Sequence, residues 1–329
     1  MSVVIAGASG FMGRRLRASI EAAGETVRTV GRAGDAVWGD TDGIARLVDG
    51  AELVVNLAGK SVDCRYGPAN RAEILRSRVA TTTELAEAIH RSDAPPPLWV
   101  NSSTATIYRH ADDRPMTEEA GELGEGFSVG VARAWEDAFL APELPGVRRV
   151  ALRTAITLGN GSALIPLLRL ARFGAGGAQL DGRWPASRTR LTAGTYHRFG
   201  TPHGRQRFSW VHIDDVVGIV AFLRAHPELA GVVNVSSPYP VDGVTLMRTL
   251  RRVLGVPFGM PLPRAALELG AFVLRTETEL VLKSRWVLPE RLENAGYRFR
   301  YPELEPALRQ IVAERRGARR AAGAQVGPQ

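Results

Sequence analysis

Cysteine is almost absent from this chain. Cys64 is the single one in 329 residues, so no internal disulfide can form, and a lone thiol without ligands about it is a poor candidate for metal or redox chemistry. Lysine is nearly as scarce: Lys60 and Lys283 are the only two, although arginine is abundant enough to bring the net charge to +8. No run approaches the roughly 18 unbroken apolar residues of a membrane helix. The opening MSVVIAGASG lacks the charged leader and long apolar stretch of a signal peptide, so a soluble cytoplasmic protein with no membrane partner is expected. Nucleic acid is not an expected partner either, because neither a basic face with aromatic platforms nor a known binding module is present. Part of the charge sits in AERRGARRAAGAQVGPQ, where residues 313–329 read as a disordered basic tail. The remaining positive charge suits anionic small ligands, phosphates included.

What is present is an alternation. Short β-branched runs at Val3 to Ala6, Val27 to Val30, Leu53 to Leu57, Leu98 to Ser102 and Val147 to Leu152 are separated by amphipathic stretches such as Met12 to Ala23 and Arg71 to His90. That rhythm predicts an α/β fold built on a doubly wound parallel sheet. With 45% hydrophobic residues, the chain can build one large core or two that share an interface. Residues 1–157 are expected to form the sheet domain, with 208–236 returning to it. Residues 158–207 and 237–312 then make a smaller C-terminal α/β substrate lobe over the strand ends. The pattern is compatible with a homodimer.

Directly after the first strand and before the first helix stands GASGFMG. Gly7 allows a tight turn, Gly10 lets backbone approach a pyrophosphate, and Gly13 permits close packing of helix on strand, while Ser9, Phe11 and Met12 line the same turn. The following helix N-terminus offers free N–H groups to phosphates. This is a Rossmann dinucleotide turn. Strand 2 ends Thr29-Val30-Gly31-Arg32 with no acid to take the ribose hydroxyls, and Arg32 can pair with a 2′-phosphate, which favours NADP(H) over NAD(H). Asp40, after VWGD, reads equally as an adenine contact and as a helix cap.

Beyond these motifs, GASGFMGRRL, NLAGKSVDCRY, RAEILRSRVATTTEL, SSTATIY, ARAWE, LRTAITLGNG, SWVHIDDVV and RWVLPERLENAGYRFRYPELEPAL resemble the atypical, extended short-chain dehydrogenase/reductases of the NAD-dependent epimerase type. That group carries a distinctive C-terminal domain of unknown role. The resemblance implies that Asn56, Leu57, Ala58 and Gly59 neighbour the nicotinamide ribose, with buried strand-end packing as the alternative, and that Ser102 lies beside them. It also implies chemistry from three groups: a Ser or Thr that polarises the substrate oxygen, a Tyr that moves the proton, and a Lys four residues on that lowers the tyrosine pKa.

Thr104, ending Ser102-Ser103-Thr104, fills the first slot. The other two slots hold Ser128 and Ala132, so the tyrosine and lysine are missing. Tyr108 is one replacement, tuned by Arg109, His110 or Lys60, and is equally read as a packed aromatic. One expectation is therefore an NADP(H)-dependent oxidoreductase or epimerase-like enzyme acting on a small carbonyl or hydroxyl compound. The other is a catalytically degenerate NADP(H)-binding regulator.

Arg65, Tyr66 and Trp210 are candidate substrate contacts. Phe208 occupies the position where sugar-nucleotide members keep a diphosphate-binding arginine, with Arg205 and Arg207 displaced from it. His212, Asp214 and Asp215 precede an apolar helix and fit capping rather than a metal site, so no metal is expected. The insertion between Gly182 and Arg205 is either a lid, bringing Tyr196, His197 and His203 to substrate, or a surface ornament.

Overall fold

The computed structural model describes residues 2–161, 164–273 and 276–324. The strands are β1 (Ser2–Ala6), β2 (Thr26–Gly31), β3 (Ala36–Val37), β4 (Leu53–Asn56), β5 (Leu98–Thr104), β6 (Arg148–Thr154), β7 (Ile156–Leu158), β8 (Arg207–Phe208), β9 (Trp210–His212), β10 (Gly231–Val235) and β11 (Val241–Asp242). Seven of them form one sheet in the order β10-β6-β5-β4-β1-β2-β3, and every pairing in it is parallel. The chain starts in the middle at β1, winds out to β3 and crosses back to β4. A crevice therefore opens beyond the C-terminal ends of β1 and β4, where the strand order reverses.

The helices are α1 (Phe11–Ala22), α2 (Thr41–Val48), α3 (Pro68–His90), α4 (Phe127–Leu140), α5 (Leu164–Arg172), α6 (Arg188–Thr192), α7 (Ile213–Ala225), α8 (Gly243–Leu254), α9 (Arg264–Val273), α10 (Glu279–Leu282), α11 (Glu290–Asn294) and α12 (Leu304–Ala324). Because side chains alternate along a strand, β1 feeds both faces of the sheet. Val3 and Ile5 pack under Leu16 and Ile20 of α1 and Ile219 of α7. Val4 and Ala6 pack with Ile44 of α2, Leu85 and Ile89 of α3 and Phe139 of α4. A separate core gathers Leu164, Leu168, Trp210, Leu246, Leu250, Leu308 and Ile311 where α5, α8 and α12 close on β7 and β9. Among the described residues, no helix is long and apolar enough to cross a membrane.

Two expectations change. Within 208–236, α7 and β10 return to the main sheet, but β8 and β9 pair off it, with β11 and β7. The free edge of β6 is already taken by β10, so these short strands have no place beside it. Nor is the tail irregular throughout, since α12 runs on to Ala324. Leu304, Leu308, Ile311 and Val312 anchor its buried half, and the alanines and arginines beyond are strong helix formers without needing an apolar stripe. Residues 325–329 of the expected tail lie outside the described residues.

Candidate functional site

The crevice is floored by the glycine turn. Gly7 has φ +79°, and a Cβ there would lie 2.8 Å from the Leu57 carbonyl carbon, while one on Gly13 would lie 2.3 Å from the Gly7 oxygen. Backbone therefore packs on backbone, which only glycine permits. Gly10 is the N-cap of α1 and brings no side-chain cap, so the first N–H groups of the helix stay available to an anion. Ser9 is exposed at the mouth of the turn. The Phe11 ring is set against the 159–161 turn, where a Cβ on Gly159 would come within 2.6 Å of it. Met12, Leu57 and Ser102 line one small apolar niche together with Leu152 and Thr154.

At the end of β2, Arg32 is exposed, and its side chain has no hydrogen-bond or ion-pair partner among the described residues. The nearest acid along the chain, Asp35, is turned back onto the strand. Its Oδ2 accepts from the Thr29 N–H at 2.7 Å and the Thr29 hydroxyl at 2.8 Å, bonds that hold its carboxyl below the usual range. Asp40 caps α2, its Oδ1 accepting from the Gly43 N–H at 2.8 Å.

The ends of β4 and β5 lie opposite. Asn56 is buried, and its amide is bonded through both ends: Nδ2 donates to Asn101 Oδ1 at 2.7 Å and to Thr82 Oγ1 at 3.1 Å, while Oδ1 accepts from the Ala58 N–H at 3.0 Å. It shapes the turn Leu57-Ala58-Gly59 from below, in keeping with the strand-end packing alternative. Gly59 is exposed at the rim. Thr104 is half-buried, and its Oγ1 accepts from the Thr106 N–H at 3.1 Å, so its own O–H is free to donate toward the crevice.

Tyr108 does not reach that position. It is 1% exposed, its hydroxyl donates to Asn234 Oδ1 on β10 at 2.8 Å, and it accepts from Arg153 on β6 at 3.0 Å. Its phenol is thus held by side chains of β6 and β10, the two strands beyond β5. Burial pushes it upward in pKa, against the neighbouring Arg153. Trp210 is likewise no substrate contact: it is fully buried in the core under α8 and α12, because β9 presents that face to them. His212 caps α7, its Nδ1 accepting from the Asp214 N–H at 3.1 Å, and Asp215 accepts from the backbone of Arg300 and Tyr301.

The far wall of the crevice comes from the C-terminal part of the chain. Arg65 donates to the Thr276 carbonyl at 3.0 Å, and the Tyr66 N–H donates to Glu277 at 2.9 Å. The Tyr66 ring meets Phe127 edge-on at 5.1 Å, and burial pushes its phenol up, with Glu279 adding to the effect and the Ser128 hydroxyl opposing it. Ser128 donates from Oγ to Glu279 Oε2 at 2.9 Å. Lys283 is 5% exposed and donates to the Thr106 carbonyl at 2.8 Å, and burial drives its ammonium down to about 8. Arg285 donates to the Thr106 hydroxyl at 3.2 Å. Glu277, Glu279 and Lys283 lie outside the motifs, and Arg285 opens the RWVLPERLENAGYRFRYPELEPAL segment without having been singled out; the one other hint in the sequence is that Lys283 is one of two lysines.

The insertion is tied into this wall. Arg190 pairs with Glu268 at 3.1 Å and Glu277 at 3.4 Å, and the Phe127 N–H at the start of α4 donates to the Gly194 carbonyl at 3.1 Å. The Tyr196 hydroxyl is spent on the Trp184 carbonyl, and His197 stacks on Phe199 at 5.4 Å. His203 is exposed in a left-handed turn, away from these contacts.

Known proteins are similar to this chain in sequence and fold. Residues 3–126 match the NAD dependent epimerase/dehydratase family, and residues 262–311 match a domain of unknown function, DUF1731. The epimerase family protein SDR39U1 of Bos taurus is 30% identical over 325 residues, covering 95% of this chain and all of the relative. The epimerase family protein YfhF of Bacillus subtilis is 28% identical over 328 residues, covering 96% of this chain and 99% of the relative. The crystal structure of human SDR39U1 (isoform 2) with NADPH superposes with a TM-score of 0.79 at 27% identity, covering 95% of this chain and 99% of that one.

Proposed function

Because the chain belongs to the NAD-dependent epimerase family, in the branch of the epimerase family protein SDR39U1, we propose that it is an NADP(H)-dependent oxidoreductase or epimerase-like enzyme acting on a small carbonyl or hydroxyl compound. The observation that carries the cofactor choice is at the end of β2, where Arg32 is exposed and unpaired among the described residues while Asp35 is held by Thr29. A 2′-phosphate would meet a free guanidinium, and no free acid competes there. The NADPH held by the human relative supports the same choice.

The glycine cradle fits a pyrophosphate, since any side chain on Gly7 or Gly13 would fill the space backbone needs. The rim from Leu57 to Gly59 would lie along the nicotinamide ribose. Asp40 keeps its adenine contact as part of this reading alongside its cap. Once bound, the nicotinamide supplies or accepts hydride. Thr104 would donate its free O–H to the reacting oxygen, and Arg65 and Tyr66 would border the substrate.

Fluorescence titration with NADPH and NADH tests the reading, with NADPH expected to bind much the more tightly. Arg32→Ala should weaken NADPH by about 10- to 100-fold, the loss of a charge-assisted hydrogen bond or two, and leave NADH unchanged. Equal binding of the two cofactors would refute the assignment. NADPH binding without turnover of any carbonyl would favour the regulator.

A further inference from the structure

The structure leaves a proton path unassigned. In the position where the resembling family keeps its tyrosine stands Ser128, half-buried in the first turn of α4. Its hydroxyl donates at 2.9 Å to Glu279, a residue 151 positions away, 9% exposed and contributed by the matched C-terminal domain. The Tyr66 phenol lies against the same hydroxyl from the opposite lobe. The charged groups facing Glu279 are Lys283 and Arg285, whose guanidinium donates to main-chain carbonyls including that of Glu279 itself. Neither forms an ion pair with it among the described residues, so the carboxylate keeps one oxygen free of side-chain partners, beside two buried cations that offset its charge.

We propose that Ser128 is the acid–base hydroxyl of this site and that Glu279, acting through it, is the acceptor and donor of the proton. The inference rests on the dinucleotide reading above. In the oxidising direction, the substrate O–H bond breaks and its proton passes to Ser128 Oγ as the Ser128 proton moves to Glu279 Oε2. The substrate C–H bond breaks with its electron pair going to the oxidised dinucleotide, and C–O becomes C=O. Glu279 then returns the proton to water. Reduction runs the same exchange in reverse, with the proton taken from water through Glu279. The C-terminal domain thus completes an active site that the sheet domain alone would leave without a base.

A carboxylate behind the nicotinamide position stabilises the cationic, oxidised ring over the neutral, reduced one, and this can be read without any substrate. Affinities for NADP+ and NADPH would be measured by calorimetry on the full-length wild type and on Glu279→Gln, Glu279→Asp and Ser128→Ala. Glu279→Gln should shift the affinity ratio toward NADPH by about tenfold, equivalent to about 30 mV in the potential of the bound couple. Glu279→Asp and Ser128→Ala should hold the ratio near wild type, since both keep the charge.

In a panel of aldehydes, ketones and quinones with NADPH, Ser128→Ala and Glu279→Gln should each lower kcat by about 100-fold or more, with Ser128→Thr recovering activity. An unmoved ratio in folded Glu279→Gln overturns the proposal, as does wild-type turnover by Ser128→Ala. A wild type that binds NADPH but turns over no member of the panel also overturns it, in favour of the regulator. A wild type that binds neither cofactor overturns the dinucleotide reading itself.

Discussion

The two walls of the crevice are made in opposite ways. The cofactor wall is local: Gly7, Gly10 and Gly13 fall within seven residues of one another, and their geometry is backbone against backbone. The far wall is assembled from long-range pairs, Tyr66 with Glu277, Ser128 with Glu279 and Arg190 with Glu268, whose members are separated by 211, 151 and 78 positions. A wall made of local turns is fixed as soon as the strand and helix beside it form. A wall made of buried polar pairs exists only once both lobes have docked, and each pair must be complete, because an unpartnered charge in the interior is costly.

The comparison breaks first, and by the largest amount, at Arg264. Its side chain is 3% exposed and bridges Asp181 at 2.6 Å and Glu268 at 2.7 Å. Although burial alone would raise both acids, Gly200 and Arg264 hold Asp181 below the usual carboxylate range, and Arg264 with Arg190 holds Glu268 below it. Arg264→Ala would leave the buried Asp181 without its cation and Glu268 with Arg190 alone, so a loss of about 3–5 kcal/mol in denaturant unfolding is expected. If the far wall melts as a unit, the loss should appear as an earlier, separate transition, with the sheet domain and the proposed NADPH binding retained at denaturant concentrations below the main one. A single transition with less than about 1 kcal/mol of loss would mean that the pairs are not what holds the wall.

A smaller effect is expected at Lys283, and its sign follows from linkage. The ordinary value for lysine, 10.5, falls to about 8 in the folded chain because burial disfavours the ammonium. The unfolded chain therefore holds more protons between those values, and wild-type stability rises as pH climbs from about 8 to 10.5 relative to a variant lacking the group. Below about 8 the penalty of the buried charge is present in full. Chemical unfolding of wild type and Lys283→Met across this range should show the difference moving toward wild type by about 2–3 kcal/mol. A flat difference would place the ammonium in contact with water and weaken the picture of a dry wall.

The same contrast explains which parts were legible in the sequence. The parallel sheet, the glycine turn and the end of β2 follow from spacing within a few residues, so GASGFMG and Thr29 to Arg32 announce them directly. Asp35 shows how near the limit lies: it stands three residues past Arg32, and nothing in the sequence says that its carboxylate turns back onto Thr29. Tyr108 fails for a different reason. A position four residues past Thr104 places it near the pocket in sequence, but a single 3-10 turn, Ala105–Ile107, swings it beneath the sheet to Asn234. Trp210 follows β9 off the sheet, and no local pattern says which core a short strand will join. At the C-terminus, the end of apolar periodicity marks where burial of α12 stops, after Val312, and not where the helix stops. The partners of Ser128 and Tyr66 were illegible because glutamates and lysines carry no spacing rule across a lobe interface.

The smallest expected effect bears on the local wall alone. Asp40 caps α2 through Gly43, and the proposed function adds an adenine contact to that carboxylate. The two roles separate by substitution. Serine is a competent cap, so Asp40→Ser should leave stability nearly unchanged, whereas Asp40→Ala should lose about 1 kcal/mol in thermal or denaturant unfolding. If the carboxylate also meets adenine, both variants should weaken NADPH by a similar few-fold factor, and adenosine-containing fragments should weaken in proportion. If only the alanine variant loses affinity, the cap is the whole of the role, and Asp40 shapes the cofactor wall from behind without touching what the wall holds.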